Sequence, residues 1–372
     1  MPGRVLVDHQ LQQLLERDWL FVPGSPTCPN VATSFLQPAS LDLPVMNCCY
    51  LVKDRVLPYK KLVSELIQSI SIVKVDLATP EGAVLLKGQT YLAHCGRVKL
   101  PTHCRGSLSP KSSIGRVDVM VRGVFDGSGL YDTIGCGEEG DLWIEISPRS
   151  FNVRLREFQT LSQMMIFSHQ DGEDREEEVA VPLAKRLDLL FTNQGIPIQP
   201  QVHFNGAIIL HLGLTSDDHA PIGWEALATN EVVDLAQVRS HEFGLFFRPL
   251  HANNNASVTL EKDRFYILAT QERISVPTSL SAEMIPFSHH IGELRAHYAG
   301  FFDPGFGFPL KGTGGVLEVR PHETVTIFDG QPICLIEYFR NLDLPSKPYG
   351  QAGNNYQAQR GAKLAKYFQE AV

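Results

Sequence analysis

The sequence predicts an all-β protein, sandwich or barrel, made of two tandem units that arose by duplication. Three observations predict it. Short apolar runs alternate with turn residues, and 30 glycines and 24 prolines are spread among them, the pattern of many short strands rather than long helices. An acidic run, Asp171-Gly172-Glu173-Asp174-Arg175-Glu176-Glu177-Glu178, is the most polar interior stretch and reads as a solvated connector. On either side of that connector the sequence repeats itself.

In chain order, residues 1–20 mix apolar positions with Asp8, Glu16 and Asp18, which does not describe a signal peptide. Residues 59–70 carry the clearest helical period, and a weaker one closes the chain over residues 361–371. Residues 83–86, 207–212 and 243–247 read as strands. A boundary at the connector divides the 372 residues into domains 1–180 and 181–372, in keeping with roughly 150 residues per domain.

Sliding the sequence by 176 positions superposes Ala93, Arg97, Pro101, Thr102, Pro110 and Ser112 on Ala269, Arg273, Pro277, Thr278, Pro286 and Ser288. Further on, Glu145-x-x-Pro148 is matched by Glu318-x-x-Pro321, and each is followed by an aromatic-ended strand closing at Phe167 or Phe339.

Composition excludes several classes of function. Hydrophobic residues are 43% and charged residues 20% of the chain, enough to bury a core. No apolar run approaches the roughly 18 residues of a membrane span. A net charge of −8 and a pI near 5.9 argue against a nucleic-acid or membrane-surface binder. They leave room for a local basic pocket. Seven cysteines without framework spacing suit a reducing cytoplasm.

The halves differ where chemistry would sit. The first reads Ser109-Pro110-Lys111-Ser112-Ser113-Ile114-Gly115-Arg116; the second reads Ile285-Pro286-Phe287-Ser288-His289-His290-Ile291-Gly292-Glu293. Two cations flanking two hydroxyls on a tight turn suit a polyphosphate, with Arg forking onto its oxygens. Only the first copy keeps the charge. Glu145 and Glu318 are each embedded in an apolar strand, where desolvation raises a carboxyl pKa toward the range of a proton shuttle.

At these residues the sequence resembles the dCTP deaminase family, which shares its fold with the trimeric dUTP pyrophosphatases. Pro110 to Arg116 resembles that family's serine–arginine turn. Phe302-Asp303-Pro304-Gly305-Phe306-Gly307, followed by Val316-Leu317-Glu318, resembles its Asp-Pro-Gly hairpin and glutamate strand. Pro348-Tyr349 with Asn355-Tyr356-Gln357-Ala358-Gln359-Arg360-Gly361 resembles its C-terminal tail, and Gln37-Pro38-Ala39-Ser40-Leu41-Asp42-Leu43 its early strand. The double length is similar to that of the fused bacterial deaminases, and the resemblance implies an all-β fold of two tandem dUTPase-like distorted β-barrels.

The resemblance implies hydrolytic deamination of dCTP to dUTP and ammonia. It implies that Ser112, Ser113 and Arg116 form the turn that contacts phosphates and arranges the water, with Lys111 beside them. Glu145 or Glu318 would be general base and proton shuttle. Asp303 would face the deoxyribose, and Tyr349, Tyr356 and Gln359 would cover the phosphates. Arg122 and Asp132 join the substrate-binding candidates from the first half. Lys111 stands where the family has Arg, losing the bidentate fork, and Asn355 stands where a tail lysine is common. Neither half has the full set, which implies a composite site drawn from different domains or chains.

Zinc deaminases carry a His-x-Glu and Pro-Cys-x-x-Cys signature. This chain has no Cys-x-x-Cys; His94-Cys95, His103-Cys104 and His289-His290 with His297 lack further ligands at metal-binding spacing. A zinc-free route is expected, with Mg²⁺ entering on the triphosphate. The expected partners are a small nucleotide and further copies of the chain, a homotrimer first, without nucleic acid or membrane. Three rivals remain open: a dUTP pyrophosphatase or bifunctional enzyme using Asp126, Asp132 or Asp303, a non-catalytic nucleotide-binding module, and a metal hydrolase built on the His and Cys pairs.

Overall fold

A computed structural model of the chain describes residues 3–17, 20–21, 34–169, 183–215, 221–286, 294–296, 300–351 and 355–370. The acidic connector and the His289, His290 and His297 positions lie outside the described residues. The chain is built mainly of antiparallel strands, with three α-helices among the described residues: Asp8–Glu16, Val63–Ile70 and Ser112–Gly115. None of them is long and apolar enough to cross a membrane.

Both halves follow one hydrogen-bonding plan. Thr90–Lys99 pairs with Glu139–Pro148 in the first, and Tyr266–Ile274 with Thr313–Pro321 in the second. Cys104–Pro110 pairs with Thr160–Ser168 from Cys104↔Ser168 to Pro110↔Ser162, and Leu280–Pro286 pairs with Pro332–Arg340 from Leu280↔Arg340 to Pro286↔Cys334. Pro101 and Pro277 accept the N–H groups of Cys104 and Leu280, both at 2.9 Å. The hydroxyls of Tyr91 and Tyr266 accept from Leu86 N and Glu261 N at 3.0 and 2.9 Å. One residue beyond these tyrosines, Leu92 faces Glu145 and Ile267 faces Glu318. The two glutamates are therefore equivalent in register.

Register also shows which aspartates correspond. Thr133 and Ile134 lie opposite Ser107 and Gly106, as Phe301 and Phe302 lie opposite Glu283 and Ala282. Gly135, not Asp132, thus occupies the place of Asp303.

Three local expectations are corrected. The helix predicted over residues 59–70 begins at Val63, because Lys60 adopts φ +58° and the Asp126 carboxylate accepts Val63 N at 2.8 Å. Residues 243–247 open as a 3₁₀ turn, Phe243–Leu245, before the strand Phe247–Leu250. The closing segment is not helical. Its backbone groups bond outward instead: Arg239 N and Ser240 N donate to the carbonyls of Lys366 and Tyr367 at 2.9 and 3.0 Å.

The halves are knitted together. The core of the first takes in Phe246, Phe247, Ala362, Leu364, Tyr367 and Phe368 from the second. Phe151 meets the Phe246 and Phe247 rings edge-on at 5.3 and 5.2 Å, and Phe368 closes on the same two at 5.3 Å each. The strand Asn152–Leu155 runs parallel to Val232–Asp234, and the repeat-equivalent Phe167 and Phe339 touch edge-on at 5.1 Å. Interlocking on this scale brings the charged turn of one half against the glutamate strand of the other.

Candidate active site

The turn that carries the cations is a strand stop followed by one helical turn. Pro110 ends its strand, and the Lys111 carbonyl then accepts Ile114 N at 2.8 Å and Gly115 N at 3.1 Å. Buried Ile114 anchors the turn, which aims Arg116 inward.

A cavity of about 330 Å³ opens there. Lys111, Ser112, Ser113 and Arg116 line it from the first half; Asp303, Glu318, Tyr349, Tyr356 and Gln359 line it from the second. Residues of both halves thus line one cavity within a single chain.

Arg116 is only 3% exposed. Its Nη1 donates to Gln359 Oε1 at 3.1 Å and to the Lys363 carbonyl at 2.8 Å, while its guanidinium lies 3.9 Å over the Tyr356 ring. Its Nε sits 3.8 Å from Glu318 Oε1 and has no hydrogen-bond partner among the described residues. Such an arginine is held in place for Glu318 by the tail.

Burial pushes the Glu318 carboxyl up to about 7, against the opposing pull of Arg116. Burial likewise pushes Asp303 up to about 7, with the Asp42 charge adding to the rise and the Ala39 N–H, Lys111 and Ser40 opposing it. The Asp-Pro-Gly hairpin needs its glycine: Gly305 has φ +101°, and a Cβ there would come within 2.8 Å of the Tyr349 carbonyl. That close approach seats Tyr349, whose ring lies 5.5 Å from Phe306. Gln359 donates to the Gly314 carbonyl at 2.7 Å, and Ser113 accepts from the Tyr367 hydroxyl at 3.5 Å. Lys111 is ion-paired with Asp42 and donates to Thr160 Oγ1 at 2.9 Å, so much of its charge is already answered.

Glu145, Arg122 and Asp132 are not brought to this cavity. Glu145 is 1% exposed, lies 3.4 Å from Arg55 and accepts the Tyr131 hydroxyl at 3.3 Å. Arg122 is ion-paired with Asp132 and lies 4.6 Å over the Tyr131 ring. This is the equivalent place in the first barrel, but Gly135 replaces the hairpin aspartate there. Asp126, a rival catalytic aspartate, is spent on Val63 N and Asp141 N at 2.8 and 3.2 Å.

Among the described residues no cluster of three or more His, Cys, Asp or Glu side chains could hold a metal ion. His94 packs 4.7 Å from the Trp143 ring, and burial raises the thiol pKa values of Cys95 and Cys104. Sequence reasoning missed Lys366, which lines the cavity, and the Asp118–Arg320 pair behind it.

Fold and cavity define the class: a dUTPase-like β-barrel protein, doubled within one chain, with an interior pocket where a buried carboxyl meets an arginine. The model of the N-terminal domain of 2'-deoxycytidine 5'-triphosphate deaminase matches residues 3–170, and that of its C-terminal domain matches residues 183–368. The crystal structure of 2'-deoxycytidine 5'-triphosphate deaminase from Agrobacterium tumefaciens is 32% identical, covers 93% of this chain and 100% of its own, and superposes with a TM-score of 0.79. No curated protein matches the chain. The chain belongs to the dCTP deaminase family.

Proposed function

We propose that the chain hydrolyses dCTP to dUTP and ammonia in the cavity between its halves. The observation that carries this reading is Glu318: a carboxyl with a pKa pushed up to about 7, beside a buried arginine in a pocket of nucleotide size.

Such a carboxyl is poised both to accept and to return a proton near neutral pH. In this reading its carboxylate takes a proton from the water attacking C4 of cytosine and passes it to N3; it then takes the proton of the new C4 hydroxyl and hands it to the amino group, which leaves as ammonia while C4=O forms. Arg116 stabilises the carboxylate form and fixes its direction, while Ser112 and Ser113 offer hydroxyls to the water and substrate. Asp303, held above the usual carboxylate range, can donate a hydrogen bond toward the sugar. Mg²⁺ belongs to this reading as part of the triphosphate substrate. So do two tandem units divided at residues 180 and 181, a homotrimer and a cytoplasmic setting.

A second reading, dUTP pyrophosphatase or both steps in one enzyme, is favoured by Asp42, a carboxylate lining the cavity next to Lys111. Measuring ammonia and pyrophosphate release from dCTP and from dUTP separates the readings. Ammonia from dCTP, lost in Glu318→Gln, supports deamination. Pyrophosphate alone supports the second reading, and binding without turnover would make the chain a nucleotide-binding module.

A further inference from the structure

Of the three cations that line the cavity, two are already committed. Arg116 serves Gln359, Lys363 and Glu318. Lys111 serves Asp42 and Thr160. Lys366 has no ion-pair partner within 4 Å among the described residues, although burial and the like charge of Lys111 both hold its ammonium below the usual lysine range, with only Asp42 opposing. A half-buried cation with the Tyr367 ring 5.6 Å from its Nζ but no ion pair gains when an anion joins it.

Its backbone is held on both sides. Lys366 N donates to the Tyr356 hydroxyl at 3.3 Å, and its carbonyl accepts Arg239 N at 2.9 Å. Four residues earlier the Ala362 carbonyl accepts Trp224 Nε1 at 2.7 Å. The next residue, Tyr367, reaches Ser113 on the charged turn.

We infer that Lys366 anchors the polyphosphate of the nucleotide, a binding and specificity role outside the tail positions that the family resemblance supplies. This rests on the deaminase reading of the same cavity. A phosphate oxygen placed between Lys366 and Lys111 would relieve their mutual repulsion, so the pair is arranged to gain most from a highly charged tail. Specificity by phosphate number follows, because a monophosphate brings less charge to the same place.

The test measures dissociation constants of dCTP and dCMP by calorimetry for the wild type, Lys366→Met and Lys366→Arg, alongside thermal midpoints and tryptophan emission. Loss of one charge-assisted contact predicts dCTP binding weakened about ten- to hundredfold in Lys366→Met. The same variant should change dCMP binding far less and be rescued by Lys366→Arg. Equal loss of dCMP and dCTP binding, or a shifted thermal midpoint with altered emission, would make Lys366 structural and overturn the inference. Unchanged dCTP binding in Lys366→Met would overturn it while leaving the deaminase reading intact. A wild type that binds neither nucleotide would remove that reading first.

Discussion

Arg116 and Glu318 come from opposite halves of the chain and meet inside it, with Nε 3.8 Å from Oε1. Two residues further along both segments the charges are exchanged: Asp118 is ion-paired with Arg320. Ser150 closes that second pair, donating to Asp118 Oδ2 at 2.6 Å and accepting from Arg320 Nη2 at 3.0 Å. The Arg116–Glu318 pair therefore has a largely buried, hydrogen-bonded counterpart beside it, and the spacing of one is tied to the spacing of the other.

Removing Asp118 should therefore do two things at once. Asp118→Ala leaves Arg320, its side chain only 13% exposed, without its carboxylate, and breaking a largely buried pair costs up to about 3–5 kcal/mol. Denaturant unfolding reads that loss. Because Arg116 and Glu318 share the same segments, kcat should also fall in the fraction that remains folded. Loss of stability with an unchanged kcat would show that the second pair does not position the first.

The two glutamates occupy equivalent register positions but different chemistry. Glu318→Gln should abolish turnover while nucleotide still binds. Glu145→Gln should keep most of its activity, since Glu145 faces Arg55 and Tyr131 rather than the cavity. Removing its charge leaves the partly exposed Arg55 without its carboxylate, though Arg55 still donates to Ser147 Oγ at 3.2 Å, a loss of about 1 kcal/mol or less for so exposed a cation. Steady-state ammonia release from the two variants decides it; an active Glu318→Gln would end the proton-shuttle assignment.

The titration of the site predicts how stability moves with pH. Glu318 rises from 4.5 to about 7 on folding, and Asp303 from 3.8 to about 7. In each case the folded state binds the proton more tightly than the unfolded chain, so stability falls as pH rises through that window. Each proton contributes at most about 1.4 kcal/mol per pH unit. Glu318→Gln should flatten the decline of the thermal midpoint between about pH 5 and 7. An unchanged slope would mean that the carboxyl is not raised.

Much of this was legible in the sequence, for physical reasons. The alternation of short apolar runs with turn residues and the duplicated Glu-x-x-Pro pattern are local signals, and they predicted the many strands and the equivalence of Glu145 with Glu318. The loss of charge between Lys111 and Phe287 pointed to the turn that lines the cavity. Choosing between the glutamates needed the fold, because their register is the same and only the opposing half differs. Asp132, a substrate-binding candidate in the sequence, is not the counterpart of Asp303, because the pairing of Thr133 with Ser107 places Gly135 there. Lys366 was hidden because residues 361–371 carry a faint helical period. Their conformation is set instead by partners far off in sequence: Trp224, Arg239 and Phe246.

The same closing segment separates activity from global stability. Phe368 is buried against Phe246 and Phe247, and a buried Phe→Ala change ordinarily costs about 3–5 kcal/mol. Docking the segment, however, fixes residues at about 1–2 kcal/mol of entropy each, which offsets most of what burying Leu364, Tyr367 and Phe368 contributes at about 1.5–3 kcal/mol apiece. Its net docking energy is small, so in Phe368→Ala the segment should release before the barrels unfold, capping the loss of stability. Release removes the Lys363 acceptor from Arg116, Lys366 from the cavity and the Ala362 carbonyl from Trp224. The expected result is a thermal midpoint within a few degrees of the wild type, a red-shifted tryptophan emission, and a KM for dCTP raised at least tenfold. A large drop in the midpoint with KM unchanged would show instead that the segment is an inseparable part of the first barrel's core.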